Sequence, residues 1–301
     1  MDPVLALFRR NAWATEQLLG FCAAQPPEVL QRADPDVYGS IEATFNHIVS
    51  AEQRYLSRLD GAEPTLRDRG PLSVAELGGP ARDCAARWEA LLAAPLQPER
   101  EREHQGQGGE RFRLADWHGF VQVVHHGDDH RTQVNTLLSR QGVEPPNLDG
   151  WAFGDLAHAS SEISEGARQL LPYFVGHHLW ATSRLMSWAV RLEDEQAQLT
   201  APGTYGTLEK TLEHLVFSDH TYLGWLEQQD WRTCLSAGMD WEAQIGDDRG
   251  RSPAWAVALQ AIHHGNDHRT HAGTVALAND LKAPDLDVWS YAAAEGGYSE
   301  L

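Results

Sequence analysis

The sequence HHGDDHRT at residues 125–132 returns as HHGNDHRT at residues 263–270. Each stretch sets two histidines four apart, His126 with His130 and His264 with His268. On a helix that spacing puts both side chains on one face, one turn apart, so two imidazoles can share one metal ion. A third histidine precedes each pair. His47 stands among Phe45, Ile48, Val49 and Ala51 on an earlier predicted helix, and His214 takes the matching place in the second half. Three imidazoles without a fourth protein ligand describe a metal site with an open position for water or substrate. A lone HxxxH is a weak signal, because a histidine on an apolar face is more often a hydrogen-bonded core residue. The repetition strengthens it: Gln133 has become His271 and most surface positions differ, yet all three candidate ligands remain.

The repeat extends well beyond the histidines. At an offset of 167 residues, Trp13-Ala14-Thr15 matches Trp180-Ala181-Thr182, Tyr38-Gly39 matches Tyr205-Gly206, His47 matches His214, and Tyr55-Leu56 matches Tyr222-Leu223. At an offset of 138, His125 to Phe153 aligns without gaps with His263 to Tyr291, ending in PPNLDGWAF and APDLDVWSY. The second copy is therefore 29 residues shorter, and the loss falls between Leu226 and Trp255. The first copy fills the corresponding span with PLSVAELGGPARDCAARWEALLAAPL, which has helical spacing, and a Gln/Gly-rich turn, HQGQGGERFRL.

Elements that could position the histidines are helical. Apolar residues recur at spacings of three and four over Val4 to Leu19, Ile41 to Leu59, Leu77 to Leu92, Ala115 to Leu138, Leu170 to Leu192, Leu208 to Leu226 and Ala254 to Ala278. Proline and glycine separate these segments, as at Pro145-Pro146 and Pro202-Gly203. The expected fold is all-α: two helical bundles in tandem, residues 1–153 with four helices and residues 170–301 with three clear ones, joined by a polar linker at 154–169. The two bundles are expected to face each other as an internal pseudo-dimer.

A histidine in the second helix, HxxxHR in a late helix and a PPxLDxW-like tail together resemble the DinB/YfiT-like metalloenzymes over nearly the whole chain, as two such domains. The resemblance implies four-helix bundles that bind a divalent metal, often zinc or nickel, through His47, His126 and His130 and again through His214, His264 and His268. It also implies a small-molecule substrate and, in some members, transfer of a low-molecular-weight thiol such as bacillithiol or mycothiol. A metal-dependent hydrolase and a non-catalytic metal-binding or interaction protein are the alternatives. Two departures set the second copy apart. The glutamine that commonly follows the HR pair is kept as Gln133 but is His271 in the second copy, and the third helix has no counterpart there.

Composition narrows the partners. The net charge of −19 divides into −7 for residues 1–153 and −12 for residues 154–301, so neither half offers the basic surface that nucleic acid or anionic membranes require. Cys22, Cys84 and Cys234 are an odd number without CxxC spacing, which suggests neither disulfides nor a thiolate metal site and fits a reducing cytoplasm. The start MDPVLALFRRNAW reverses the order of a signal peptide, and no apolar run is long enough to span a membrane. A cytoplasmic protein, monomeric or weakly dimeric, is expected. Among lesser residues, Arg131 and Arg269 read first as salt-bridge partners, Asp129 and Asp267 as helix-surface carboxylates, and His125 and His263 as core groups or outer partners of the ligands. Trp13 and Trp180 read as bundle packing.

Overall fold

The computed structural model describes residues 1–66, 69–106, 108–156, 161–227, 240–245 and 248–301; Cys234 lies outside the described residues. The amphipathic segments fold as helices and their ends are set by local chemistry. Helix α1 (Pro3–Ala23) starts at Asp2, whose carboxylate accepts from the Val4 amide at 2.9 Å. After the short α2 (Pro27–Gln31), Ser40 caps α3 (Ile41–Asp60), and Gly61 ends it at φ 77°, a left-handed conformation that glycine adopts without strain. Ser73 and Glu76 form a capping box at the head of α4 (Val74–Ala93). Helix α5 (Asp116–Arg140) carries the first histidine pair, and α6 (Gly150–Gly154) follows the proline-rich tail.

The second half repeats this order. After α7 (Glu165–Arg168) come α8 (Leu171–Ala189), α9 (Asp194–Ala197), α10 (Leu208–Glu227), α11 (Ala254–Ala278) and α12 (Val288–Glu295). The bounds of α10 are those of α3 moved by 167 residues, and the bounds of α11 are those of α5 moved by 138. Among the described residues α4 has no counterpart on α8 and α10. Leu56 and Phe8 are buried in the first half, whereas their equivalents Leu223 and Val175 are 54% and 40% exposed.

Two findings depart from the expectation. The structure is all-α in class but not helical throughout: β1 (Glu101–Gln105) and β2 (Arg111–Ala115) form a hairpin, and β5 (Tyr298–Glu300) adds to β2 as a third antiparallel strand. A second hairpin joins β3 (Asp240–Ile245) to β4 (Asp248–Pro253). In RFRLA Phe112 and Leu114 are buried and Arg111 and Arg113 outside, but alternation over so few residues is too short to outweigh the Gln/Gly turn beside it. The span expected as a linker is, from residue 161 onward, packed structure. Ile163 and Ala167 are buried, and the Ser164 amide donates to the Leu92 carbonyl at 2.8 Å.

One apolar core runs through both halves, bringing Phe8, Trp88 and Phe120 together with Phe174, Trp255 and Tyr291. Separate clusters lie on either side, around Phe45 and Leu137 in the first half and Leu185 and Leu212 in the second. Where α5 meets α11 the polar contacts come in reciprocal pairs. Thr132 donates to Asp267 and Thr270 donates to Asp129, both at 2.6 Å. His263 lies 3.3 Å from Asp128, while His125 lies 3.2 Å from Asn266. Exchange of this kind, residue i with j and j with i, is what a two-fold interface produces.

Candidate metal centres

Helix α3 presents His47 toward α5, where His126 and His130 stand one turn apart. One nitrogen from each ring lies within 4.8 Å of the others, and the same holds for His214, His264 and His268 on α10 and α11. The Nε2 atoms of His126 and His47 face each other at 2.9 Å, and those of His264 and His214 at 3.0 Å. A tetrahedral ion with bonds of about 2.0–2.1 Å holds its nitrogens roughly 3.3 Å apart, so little movement separates this arrangement from a loaded one. All six residues expected from the sequence are thus brought together in two triads.

The proton on His130 is placed by its neighbours. Asp129 can only accept, so the Gln133 amide turns its Nε2 toward the Asp129 carboxylate at 3.0 Å. The Gln133 Oε1 then faces the other way and accepts from the Tyr38 amide at 3.0 Å and from His130 Nδ1 at 3.2 Å. With Nδ1 carrying the proton, the His130 Nε2 lone pair is free for a metal. Asp129 is held in turn by Thr270 of the second half. It is half-buried and doubly bonded, which corrects its reading as a surface carboxylate, and Asp267 is corrected on the same ground by its bond from Thr132.

All six imidazoles are held in the neutral form that binds metal. Burial pushes His47 down to about 4, and the charges of His130 and Arg54 push in the same direction. Burial and the neighbouring histidines likewise hold His126 well below the usual histidine value, and burial lowers His130. In the second triad burial and neighbouring histidines bring His264 to about 3 and burial brings His268 to about 4; burial also lowers His214.

Sequence reasoning passed over the tyrosines. Tyr38 stacks on His47 with ring centroids 4.1 Å apart at 26°, and Tyr205 stacks on His214 at 4.6 Å and 17°. Their signal was present, since Tyr38-Gly39 and Tyr205-Gly206 are among the residues that define the repeat. Arg131 pairs with Asp128 at 2.8 Å, as a salt-bridge reading requires, while Arg269 bonds the neutral Asn266 at 2.6 Å and Thr182 at 2.9 Å. His125 and His263 lie on the seam between the halves, and the half-buried Trp13 packs on Phe153.

The profile of the DinB family matches residues 1–168, more than half of the chain. The chain belongs to the DinB family. No curated protein and no solved structure matches it. In this DinB chain the histidine groups can bind a metal, and among the described residues no helix is long and apolar enough to cross a membrane.

The second triad is not a copy of the first in its surroundings. His271 replaces Gln133, and the Nδ1 atoms of His264, His268 and His271 are buried without a hydrogen-bond partner among the described residues. Asp267, His268 and His271 form a further group whose ligand atoms lie within 4.8 Å of one another. Cys22 and Cys84 take no part. Both are buried free thiols, and burial pushes Cys22 up to about 12, so neither supplies a thiolate.

Proposed function

We propose that this chain is a metal-dependent enzyme that holds zinc or nickel at His47, His126 and His130, and a second ion at His214, His264 and His268. The reaction read here is transfer of a low-molecular-weight thiol to a small electrophilic substrate. One observation carries the metal reading: two imidazole Nε2 atoms face each other at 2.9 Å, beside a third ring whose proton Gln133 and Asp129 hold on the far nitrogen. Nitrogens so placed share either a cation or the N–H of one neutral ring, and the third lone pair beside them, freed on His130 by Gln133, is what a metal uses and a two-ring hydrogen bond does not.

A divalent ion in such a site supplies positive charge that lowers the pKa of a thiol or water at its open position. The chain's own groups do the positioning. Gln133 keeps His130 in one tautomer, Tyr38 covers the face of His47, and Thr270 fixes Asp129 from the other half. In the transfer the thiol proton passes to solvent, a sulfur–carbon bond forms on the electrophile, and a leaving group such as halide departs. The intact Gln133 relay supports reading the first triad as the reactive one, and the reciprocal bonds across α5 and α11 support reading the halves as a pseudo-dimer.

Elemental analysis after incubation with zinc, nickel and manganese tests the metal reading, with up to two ions expected per folded chain. Incubation with bacillithiol, mycothiol, glutathione or cysteine and chlorodinitrobenzene tests the reaction. Metal-dependent conjugation that is lost in His130→Ala and largely kept in His268→Ala is the expected result. Folded protein that stays metal-free ends the metal reading, and fully loaded protein with no conjugation to any thiol returns the choice to hydrolysis or a non-catalytic role.

A further inference from the structure

Beyond His47, the same stripe of α3 carries Arg54 and Arg58, seven and eleven residues on. At 1.5 Å per residue these lie roughly 10 and 16 Å further along the helix axis. They line a cavity of about 840 Å³ together with Arg69, Phe112, Trp289 and Tyr298. Three arginines around one cavity are conspicuous in a chain of net charge −19. The cavity also holds Glu63 and Glu110, and the Glu110 carboxylate is folded over Gly106 and Gly108 at its own hairpin turn.

Arg58 is the informative residue. Its guanidinium lies 5.2 Å from the ring of Trp289, 5.8 Å from Phe112 and 5.9 Å from Tyr55, which is cation–π distance to all three. Its Nη1 is buried and has no hydrogen-bond partner among the described residues. Aromatic faces stabilise a guanidinium but accept none of its hydrogen bonds in a carboxylate's planar, two-pronged way. A half-buried guanidinium with one nitrogen left unpaired has unmet capacity for an anion. The flat walls come from the far end of the chain: Trp289 sits on α12, and Tyr298 on β5 pairs with Leu114 of β2. At the second triad the positions of Arg54 and Arg58 are Thr221 and Trp225, and Trp225 meets Trp151 at 6.3 Å where Arg58 meets Trp289. Among the described residues the cationic cavity therefore belongs to the first triad.

We propose that this cavity is a subsite for a carboxylate-bearing compound with a flat apolar body, its carboxylate taken by Arg58 with help from Arg54 and its body laid against Trp289 and Tyr298. That such a compound is also the electrophilic substrate rests on the metal reading of the first triad; the binding itself does not. Calorimetric titration of the full chain with benzoate, benzamide and inorganic phosphate tests the binding, in protein stripped by a chelator and in protein loaded with zinc. Benzoate is expected to bind in both forms, about tenfold or more tightly than benzamide or phosphate. Arg58→Met should weaken it about tenfold or more, and Arg54→Gln by a smaller factor. Absence of benzoate binding, equal binding of benzamide or phosphate, or a folded Arg58→Met chain with unchanged affinity each overturns the proposal. Should Arg58→Met fail to fold, the Arg54→Gln chain and the benzamide comparison decide it. Because chelated protein is used, loss of the metal reading leaves this result standing, and the reverse is equally true.

Discussion

Around His130 the far ring nitrogen meets an oxygen, Gln133 Oε1, which is itself fixed by Tyr38 and Asp129; around His268 the corresponding place holds His271, and the far nitrogen has no partner among the described residues. The two triads otherwise share their internal dimensions, with ring centroids 4.4–4.8 Å apart in one and 4.3–4.9 Å in the other. Ligand placement is thus a property of the helix geometry common to both halves. Control of the imidazole proton is a property of residues that the halves do not share.

Lowering the pH should act on both triads and is the largest perturbation. Unfolded histidine titrates near about 6.5, whereas burial holds His47 and His268 at about 4 and His264 at about 3. The folded values are depressed, so the unfolded chain takes up protons first as the pH falls. The stability contributed by neutral imidazoles is complete above about 6.5 and declines as the pH drops toward 4. Urea midpoints of chelated protein should fall steadily across that window, and bound metal should leave both sites within it. A midpoint that holds constant from pH 7 to 4 contradicts the burial of the triads.

Next in size is a difference on the seam. Asp128 receives Arg10, Arg131 at 2.8 Å, His263 at 3.3 Å and Asn266 at 3.1 Å, all buried; its counterpart Asn266 answers a single arginine. Asp128→Ala strands two buried guanidinium groups and is expected to cost about 3–5 kcal/mol. Asn266→Ala removes neutral hydrogen bonds and is expected to cost about 1–3 kcal/mol. Denaturant unfolding of the two variants measures the gap, and equal losses would show that the charge on Asp128 contributes nothing beyond its bonds.

The exchange of Gln133 for His271 separates the sites most directly. Removing an outer partner of a metal-binding imidazole typically costs about 10–100-fold in metal affinity, so Gln133→Ala should weaken the first site by that factor. His271→Gln, which recreates the first-site relay beside Asp267, should tighten the second site. Zinc competition against a chromophoric chelator reads both. A second site that weakens in His271→Gln would instead make His271 a ligand, with Asp267 and His268 as the companions already within reach.

Much of this site was legible in the sequence because its parts obey local rules. The four-residue spacing of His126 and His130 and the helical period of α3 and α5 fix a face whatever the rest of the chain does. The repeat then matched His214 to His47 without any structural knowledge. What stayed hidden involves contacts between the halves. Asp129 looks like any helix carboxylate until Thr270 is brought beside it, and Arg58 becomes unusual only when Trp289, 231 positions later, closes over it. The strands were hidden for another reason, since five residues of alternation carry less signal than five turns of helix.

The smallest expected effect tests where the two sites should agree. Tyr38 and Tyr205 stack on His47 and His214 in nearly the same geometry, although Lys210 lies 5.4 Å from the centre of the Tyr205 ring. A ring–ring contact of this kind contributes about 0.5–1.5 kcal/mol beyond the area it covers. Replacing either tyrosine by alanine should therefore lower metal affinity by roughly 2- to 12-fold, and by the same factor at both sites. Phenylalanine should restore it, because the stack uses the ring face and not the hydroxyl. If phenylalanine fails at the first site while succeeding at the second, the Tyr38 hydroxyl has a role in ligand or substrate binding that stacking does not explain, and the difference between the sites reaches into the metal's immediate surroundings.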